Sequence, residues 1–247
     1  MESNTSSNRF KTALPSVVTL LGMSFGMVAL ILAALGDYRH ALWFVVYAVL
    51  TDKLDGFVAR RLDVASEFGM EMDSLADVVS FGIAPAVIFV VLSFRHFNVE
   101  PFKPLGLFVL FAAFIYAWMA AIRLAKFNIT THNVPGYFVG IASTFAAALV
   151  STMGLVALKY NAALWYVPGA AAVYILAALL MVSRILTPKL AMPESAVKRY
   201  LMLILVPAVY VCGFSMRCPE FLFGLSVLYL LGGLLNPRKE AQDGTKG

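Results

Sequence analysis

Charge is what this sequence has least of. Asp, Glu, Lys and Arg make up 13% of its 247 residues, while 61% are hydrophobic. Soluble domains run at about 25% charged and about 45–50% apolar. The excess of apolar surface excludes a water-soluble globule and points to a bilayer, where each helical crossing needs about 20 apolar residues. Cysteine is nearly absent as well. Cys212 and Cys218 alone exclude a disulfide framework, have no metal-ligand spacing and are expected to stay unbridged. Long polar connections are missing, so no soluble domain fits between the apolar runs. A cleavable leader is not apparent either. MESNTSSNRFK is polar and basic, the first apolar run is long enough to span, and that run is expected to be retained. In a soluble protein the net charge of +5 would suggest a nucleic-acid partner. In an apolar chain it fits membrane topology and affinity for anionic lipid, so no nucleic acid is expected.

What the chain does have is a series of apolar runs, at 16–36, 40–63, 70–94, 104–128, 136–158, 163–186, 197–216 and 219–236. They predict an all-α integral membrane protein with about eight transmembrane helices. Residues 1–236 then form a single transmembrane domain and 237–247 a polar cytoplasmic tail. Residues 6–15, with Phe10 and Leu14 four apart, read as a short amphipathic start in the interface. An even number of crossings puts both termini on one side. That side collects Arg9, Lys11, Lys53, Arg60, Arg61, Arg123, Lys126, Arg184, Lys189, Lys198, Arg199, Arg238, Lys239 and Lys246, whereas the other holds Arg39, Arg95, Lys103, Lys159 and Arg217. The bias places both termini, and the 62–72 connection, at the cytoplasmic face of the cell (inner) membrane.

The second and third runs are interrupted by acids. From Asp52 to Asp77 the sequence reads DKLDGFVARRLDVASEFGMEMDSLAD. On a helix, Asp52, Asp55, Gly56, Ala59 and Arg60 form one stripe at i, i+3, i+4, i+7 and i+8. Asp73, Asp77 and Ser80, at i, i+4 and i+7, form another on the next helix. The short connection makes the two helices antiparallel neighbours. Gly69 precedes the third helix and permits a turn or tight packing.

Each carboxylate in a spanning helix costs about 2.5–3.5 kcal/mol on the insertion scale, and four together also repel. A pair of divalent cations compensates, and hard oxygen ligands suit Mg2+ or Mn2+, with Ca2+ as another occupant. Gly56 and Ala59 clear a slot beside the acids, and Arg60 stands ready to donate to phosphate oxygens. Asp63, Glu67 and Glu71 read as solvated acids at a helix end. A cation transporter would also bury acids, but it would scatter them through the midplane.

The pattern D-x-x-D-G-x-x-A-R-x8-G-x3-D-x3-D, which runs through Asp52, Asp55, Gly56, Ala59, Arg60, Gly69, Asp73 and Asp77, resembles the signature of the CDP-alcohol phosphotransferases. The resemblance implies six core helices, here with two more at the C-terminus, and a homodimer, for which Gly232-Gly233 offers a small-residue patch. It implies transfer of a phosphoalcohol group from a CDP-linked donor to an alcohol, with release of CMP. SEFGMEMDSLADVVSFGIAPA, RLAKFN at Arg123–Asn128 and MVSRI at 181–185 are similar to the branch that joins CDP-diacylglycerol to L-serine. Two segments depart from that branch: Ser16 stands where Asn is usual in LPSVVTL, and Gly140–Thr144 lacks the usual prolines. Other acceptors (glycerol 3-phosphate, inositol, inositol phosphate) and an ether-lipid donor stay open.

By the same resemblance, Asp52, Asp55, Asp73 and Asp77 hold two metal ions, and Asp77 is also the catalytic base. Asp55, Gly56, Arg60 and Ser66 contact the CDP moiety, Ala59 leaves room for cytosine, and Ser16 and Thr19 reach donor phosphates or ribose. An acceptor carboxylate needs a cationic partner, for which Arg123 and Lys126 are candidates, with Asn128 as a neutral donor, Arg184 farther along and Ser80 as a pocket residue.

Overall fold

The computed structural model describes the backbone of residues 3–62, 67–129, 137–183, 185–188 and 196–235, and side chains over 19–53, 68–129, 140–183, 185, 200 and 203–232. Each predicted apolar run coincides with one helical rod. In chain order these are α1 (Ser3–Ala34), α2 (Tyr38–Leu62), a bent rod made of α3 (Glu67–Asp77) and α4 (Ala84–Val91), α5 (Pro104–Ile129), α6 (Ser143–Lys159), α7 (Tyr166–Val182), α8 (Ala196–Phe214) and α9 (Pro219–Leu235). In the bent rod, a π turn over Val78–Ile83 separates α3 from α4, and a second π turn closes it at Leu92–His96. Among the described residues, Phe68–His96 and Pro104–Ile129 are long and apolar enough to cross a bilayer by length and composition. α2 carries Asp52, Lys53, Asp55, Arg60 and Arg61 in its second half.

Several expectations need adjustment. Residues 6–15 continue into α1 without a break. Gly69 lies inside the first turn of α3, because the helix already starts at Glu67. The run at 136–158 is not helical throughout. Tyr137–Val139 (β1) pairs antiparallel with Leu186–Pro188 (β2), and α6 begins only at Ser143. Gly140 explains the break. Its φ of +74° is left-handed, and a Cβ there would meet the Met181 carbonyl oxygen at 2.5 Å. The backbone instead bonds across the chain, Gly140 N–H to Ile185 O at 2.8 Å and Ile141 N–H to Leu180 O at 3.2 Å. Among the described residues the fold is therefore helical with one short strand pair. Cys212 and Cys218 are both free, as expected. The tail 237–247 and Arg184 lie outside the described residues.

Packing relies on small residues. One core joins α1, α2, α4 and α6 through Ala29, Ala33, Ala41, Ala48, Trp43 and Ile88. A second joins α4, α5, α6 and α7 through Phe89, Ala112, Tyr116, Ala146, Ala170 and Tyr174. Alanines let helix backbones approach closely, and in a bilayer dispersion and shape hold helices together. At Gly26 the approach of α1 is close: an added Cβ would come within 2.8 Å of Ser80 Cα. The outer surface is apolar, with Phe111, Phe114, Trp118, Ile204, Val211 and Leu228 exposed, as a lipid-facing surface requires.

Candidate active site

α1, α2 and α3 converge at one end of the bundle and enclose a recess lined by Thr19, Asp52, Asp73, Asp77 and Ser80, among others. Asp52 of the first stripe faces Asp73, Asp77 and Ser80 of the second there. One carboxylate oxygen from each of Asp52, Asp73 and Asp77 lies within 4.8 Å of the others. At that separation each pair of ionised carboxylates repels by about 3–4 kcal/mol at an effective dielectric of about 20. The geometry fits a metal. Oxygen–metal bonds of about 2.0–2.6 Å let two ligands of one ion stand up to about 5 Å apart. All three donors are hard oxygens, the ligand type of Mg2+, Mn2+ and Ca2+.

Protein cations compensate only in part. Lys53 Nζ is 3.4 Å from Asp52 Oδ2, but this lysine side chain is 60% exposed. It also donates to Thr144 Oγ1 at 3.4 Å. Arg123 lies close enough to Asp77 and Asp52 to interact with both charges. Its Nη1 donates to Ser143 Oγ at 3.0 Å, while its Nε is buried with no partner among the described residues.

Of the other predicted residues, Thr19 is buried and lines the recess. Ser80 also borders it, but its hydroxyl donates to the Gly22 carbonyl at 3.2 Å, so it ties the bent rod to α1. Asn128 Nδ2 donates to Ser74 Oγ at 2.9 Å and links α5 to α3. Lys126 is exposed. Asp55, Gly56, Ala59 and Arg60 continue α2 beyond Asp52, and Ser16 lies on α1, but their side chains are outside the described residues, as is Ser66 altogether.

Sequence reading missed Lys53, Ser143 and Thr144 as neighbours of the site. Lys53 was visible only as one positive charge among many. The run Gly140–Thr144 was noticed only for its missing prolines, although the hydroxyls at its end meet both cations.

An apolar helical bundle with a carboxylate cluster at one end fits a membrane-associated enzyme, and comparison with known proteins narrows the class. The family model for CDP-alcohol phosphatidyltransferase matches residues 12–187, and the chain belongs to that family of transferases. A Helicobacter pylori protein named CDP-diacylglycerol–serine O-phosphatidyltransferase is 31% identical over 223 residues, covering 90% of this chain and 89% of its own length. A Methanocaldococcus jannaschii protein of the same name is 31% identical over 220 residues, covering 88% and 90%. An archaetidylserine synthase of Methanothermobacter thermautotrophicus is 32% identical over 182 residues, covering 72% and 70%.

Proposed function

We propose that this enzyme transfers the phosphatidyl group of CDP-diacylglycerol to the hydroxyl of L-serine, forming phosphatidylserine and releasing CMP. The observation that carries the reading is the meeting of Asp52, Asp73 and Asp77 beside Arg123. The names of relatives covering about nine-tenths of the chain support serine and CDP-diacylglycerol as substrates.

Asp52, Asp55, Asp73 and Asp77 would hold two divalent ions, Mg2+ or Mn2+. When bound, these neutralise the diphosphate and the charge gathering on CMP as it leaves. Asp77 accepts the proton of the serine hydroxyl while its oxygen forms the new bond to phosphorus. The bond from phosphorus to the CMP oxygen breaks in the same displacement, and no covalent enzyme intermediate forms. A positioned base of this kind contributes about 10²–10⁴-fold, and holding both substrates in line supplies much of the rest. Arg60, with Gly56 and Ala59 beside it, receives the CDP head. Arg123 pairs with the serine carboxylate through the guanidinium edge left without a partner, with Lys126 and Asn128 at the mouth. The acyl chains stay in the bilayer. Eight crossings, a cytoplasmic recess, cytoplasmic termini and a homodimer complete the reading.

The test is CMP release by purified protein in lipid with CDP-diacylglycerol, Mn2+ or Mg2+, and each acceptor in turn. CMP with serine alone supports the proposal. CMP with glycerol 3-phosphate or inositol but not with serine refutes the acceptor, and metal flux with no CMP refutes the reaction. The name archaetidylserine synthase on one relative favours a second reading for the donor alone, an ether lipid, which the same assay separates by donor.

A further inference from the structure

An irregular turn adjoins the recess. The π turn Val78–Ile83 starts on the residue after Asp77. π turns inside α-helices gather at functional sites, and the effect of this one is rotational. It accommodates an extra residue, and at 3.6 residues per turn one residue corresponds to about 100°. α3 is turned by about that angle from where an unbroken α-helix would put it relative to α4. Asp73 and Asp77 can then face Asp52, while Ala84, Ile88 and Phe89 on α4 stay buried.

The turn winds with π-type backbone bonds. Ala84 N–H reaches five residues back, to the Val79 carbonyl. In a regular helix the N–H of residue 85 would donate to the Phe81 carbonyl, but residue 85 is proline and has none. In the buried core a side chain gives this carbonyl a donor in its place. Tyr116 does so: its phenol donates to the Phe81 carbonyl at 3.0 Å, and the residue is fully buried. The same face of α5 carries Ala120, which would stand 3.2 Å from a Cβ at Gly82, and then Arg123. From the opposite side, α1 holds the turn through the Ser80–Gly22 hydrogen bond.

We infer that Tyr116 is a positioning residue for the acid cluster, supplying the hydrogen bond that Pro85 cannot and so holding the π turn in the register that aims Asp77 at Asp52 and Asp73. The inference rests on reading those three acids as a metal site. Tyr174 is a natural control. Its phenol donates to the Pro85 carbonyl at 3.0 Å, just beyond the turn, and its ring lies 5.1 Å from that of Tyr116.

The experiment uses the full-length chain in lipid nanodiscs and reads thermal midpoint, Mn2+ affinity by electron paramagnetic resonance, and CMP release. Tyr116→Phe is expected to weaken Mn2+ binding by about tenfold and turnover by about 30- to 100-fold, with the KM for serine within about threefold. Tyr174→Phe is expected to lower the thermal midpoint comparably while leaving Mn2+ affinity and turnover within about twofold. Tyr116→Phe combined with Pro85→Ala restores a backbone donor, but in the α register, and should regain thermal stability without regaining Mn2+ affinity.

The inference is overturned if Tyr116→Phe keeps wild-type Mn2+ affinity and turnover. It is also overturned if Tyr174→Phe loses both equally, or if the double variant recovers both together with stability. Should Tyr116→Phe fail to fold, Pro85→Ala alone decides. Weaker Mn2+ binding without loss of stability supports the inference, and unchanged Mn2+ binding refutes it. The Mn2+ arm needs no acceptor, so a wild-type protein that released no CMP would defeat the proposed reaction and leave Tyr116 still judged by metal affinity.

Discussion

The two ends of the bundle treat their acids in opposite ways. At the end away from the recess, Asp37 faces His40 at 2.7 Å, Glu100 pairs with Lys103 at 2.5 Å and Glu220 with Lys159 at 2.5 Å. Each acid there has its own cation, and these pairs at helix ends need nothing more. At the recess, Asp52, Asp73 and Asp77 crowd together with one long contact to an exposed lysine and a shared arginine. Surface pairs are worth about 0–1 kcal/mol, whereas crowded acids cost several. On the proposed reading a ligand completes this arrangement, and the donors present suit a divalent cation.

The largest break in this comparison comes from removing one acid at each end. Asp52→Asn is expected to weaken Mn2+ and donor binding together, by about tenfold or more, and to cut CMP release by at least about a hundredfold. Glu220→Gln should leave both within about twofold; equal losses from the two substitutions would erase the distinction between the ends. A smaller effect is expected from Arg123→Gln. It should raise the KM for serine about 10- to 100-fold with little change in the KM for donor, and Arg123→Lys should restore only part of the loss. Kinetics with each substrate varied in turn check this, and a change confined to the donor would reassign the arginine.

Gly26→Ala probes the packing that joins α1 to the recess. Its Cβ would press on the backbone of Ser80, so a loss of about 1–3 kcal/mol in stability is expected from denaturation in detergent. The smallest effect is at the paired end. The hydrogen bonds and charge of His40 hold Asp37 below the ordinary carboxylate range, against the upward pull of its partial desolvation. Its contribution is therefore present above about pH 4 and fades as pH falls through the lowered value. Being exposed, it is small, and Asp37→Asn should shift stability at neutral pH by less than about 1 kcal/mol.

Much of this was legible in the sequence. Apolar runs located the eight helical rods among the described residues because lipid exposure leaves a long, dense signal. The Asp52 and Asp73–Asp77 stripes were found because charge is conspicuous in an apolar background. The π turn was not legible. Helical periodicity put Ser80 on the stripe of Asp77, and a one-residue change of winding leaves no mark on an apolar run. Pro85, five residues after Ser80, was the only cue, and its meaning depends on Tyr116, 31 residues further on. The strand pair β1–β2 escaped for a similar reason, since Tyr137–Val139 is as apolar as the helix it precedes and its partner lies beyond α7.

The central claim is that Asp77 moves the proton within a metal-holding cluster. The most direct measurement is CMP release from CDP-diacylglycerol and serine by Asp77→Asn in saturating Mn2+, alongside donor binding by the same protein. The account predicts turnover reduced by at least about a thousandfold with donor still bound. Turnover within about tenfold of the unsubstituted enzyme would contradict it.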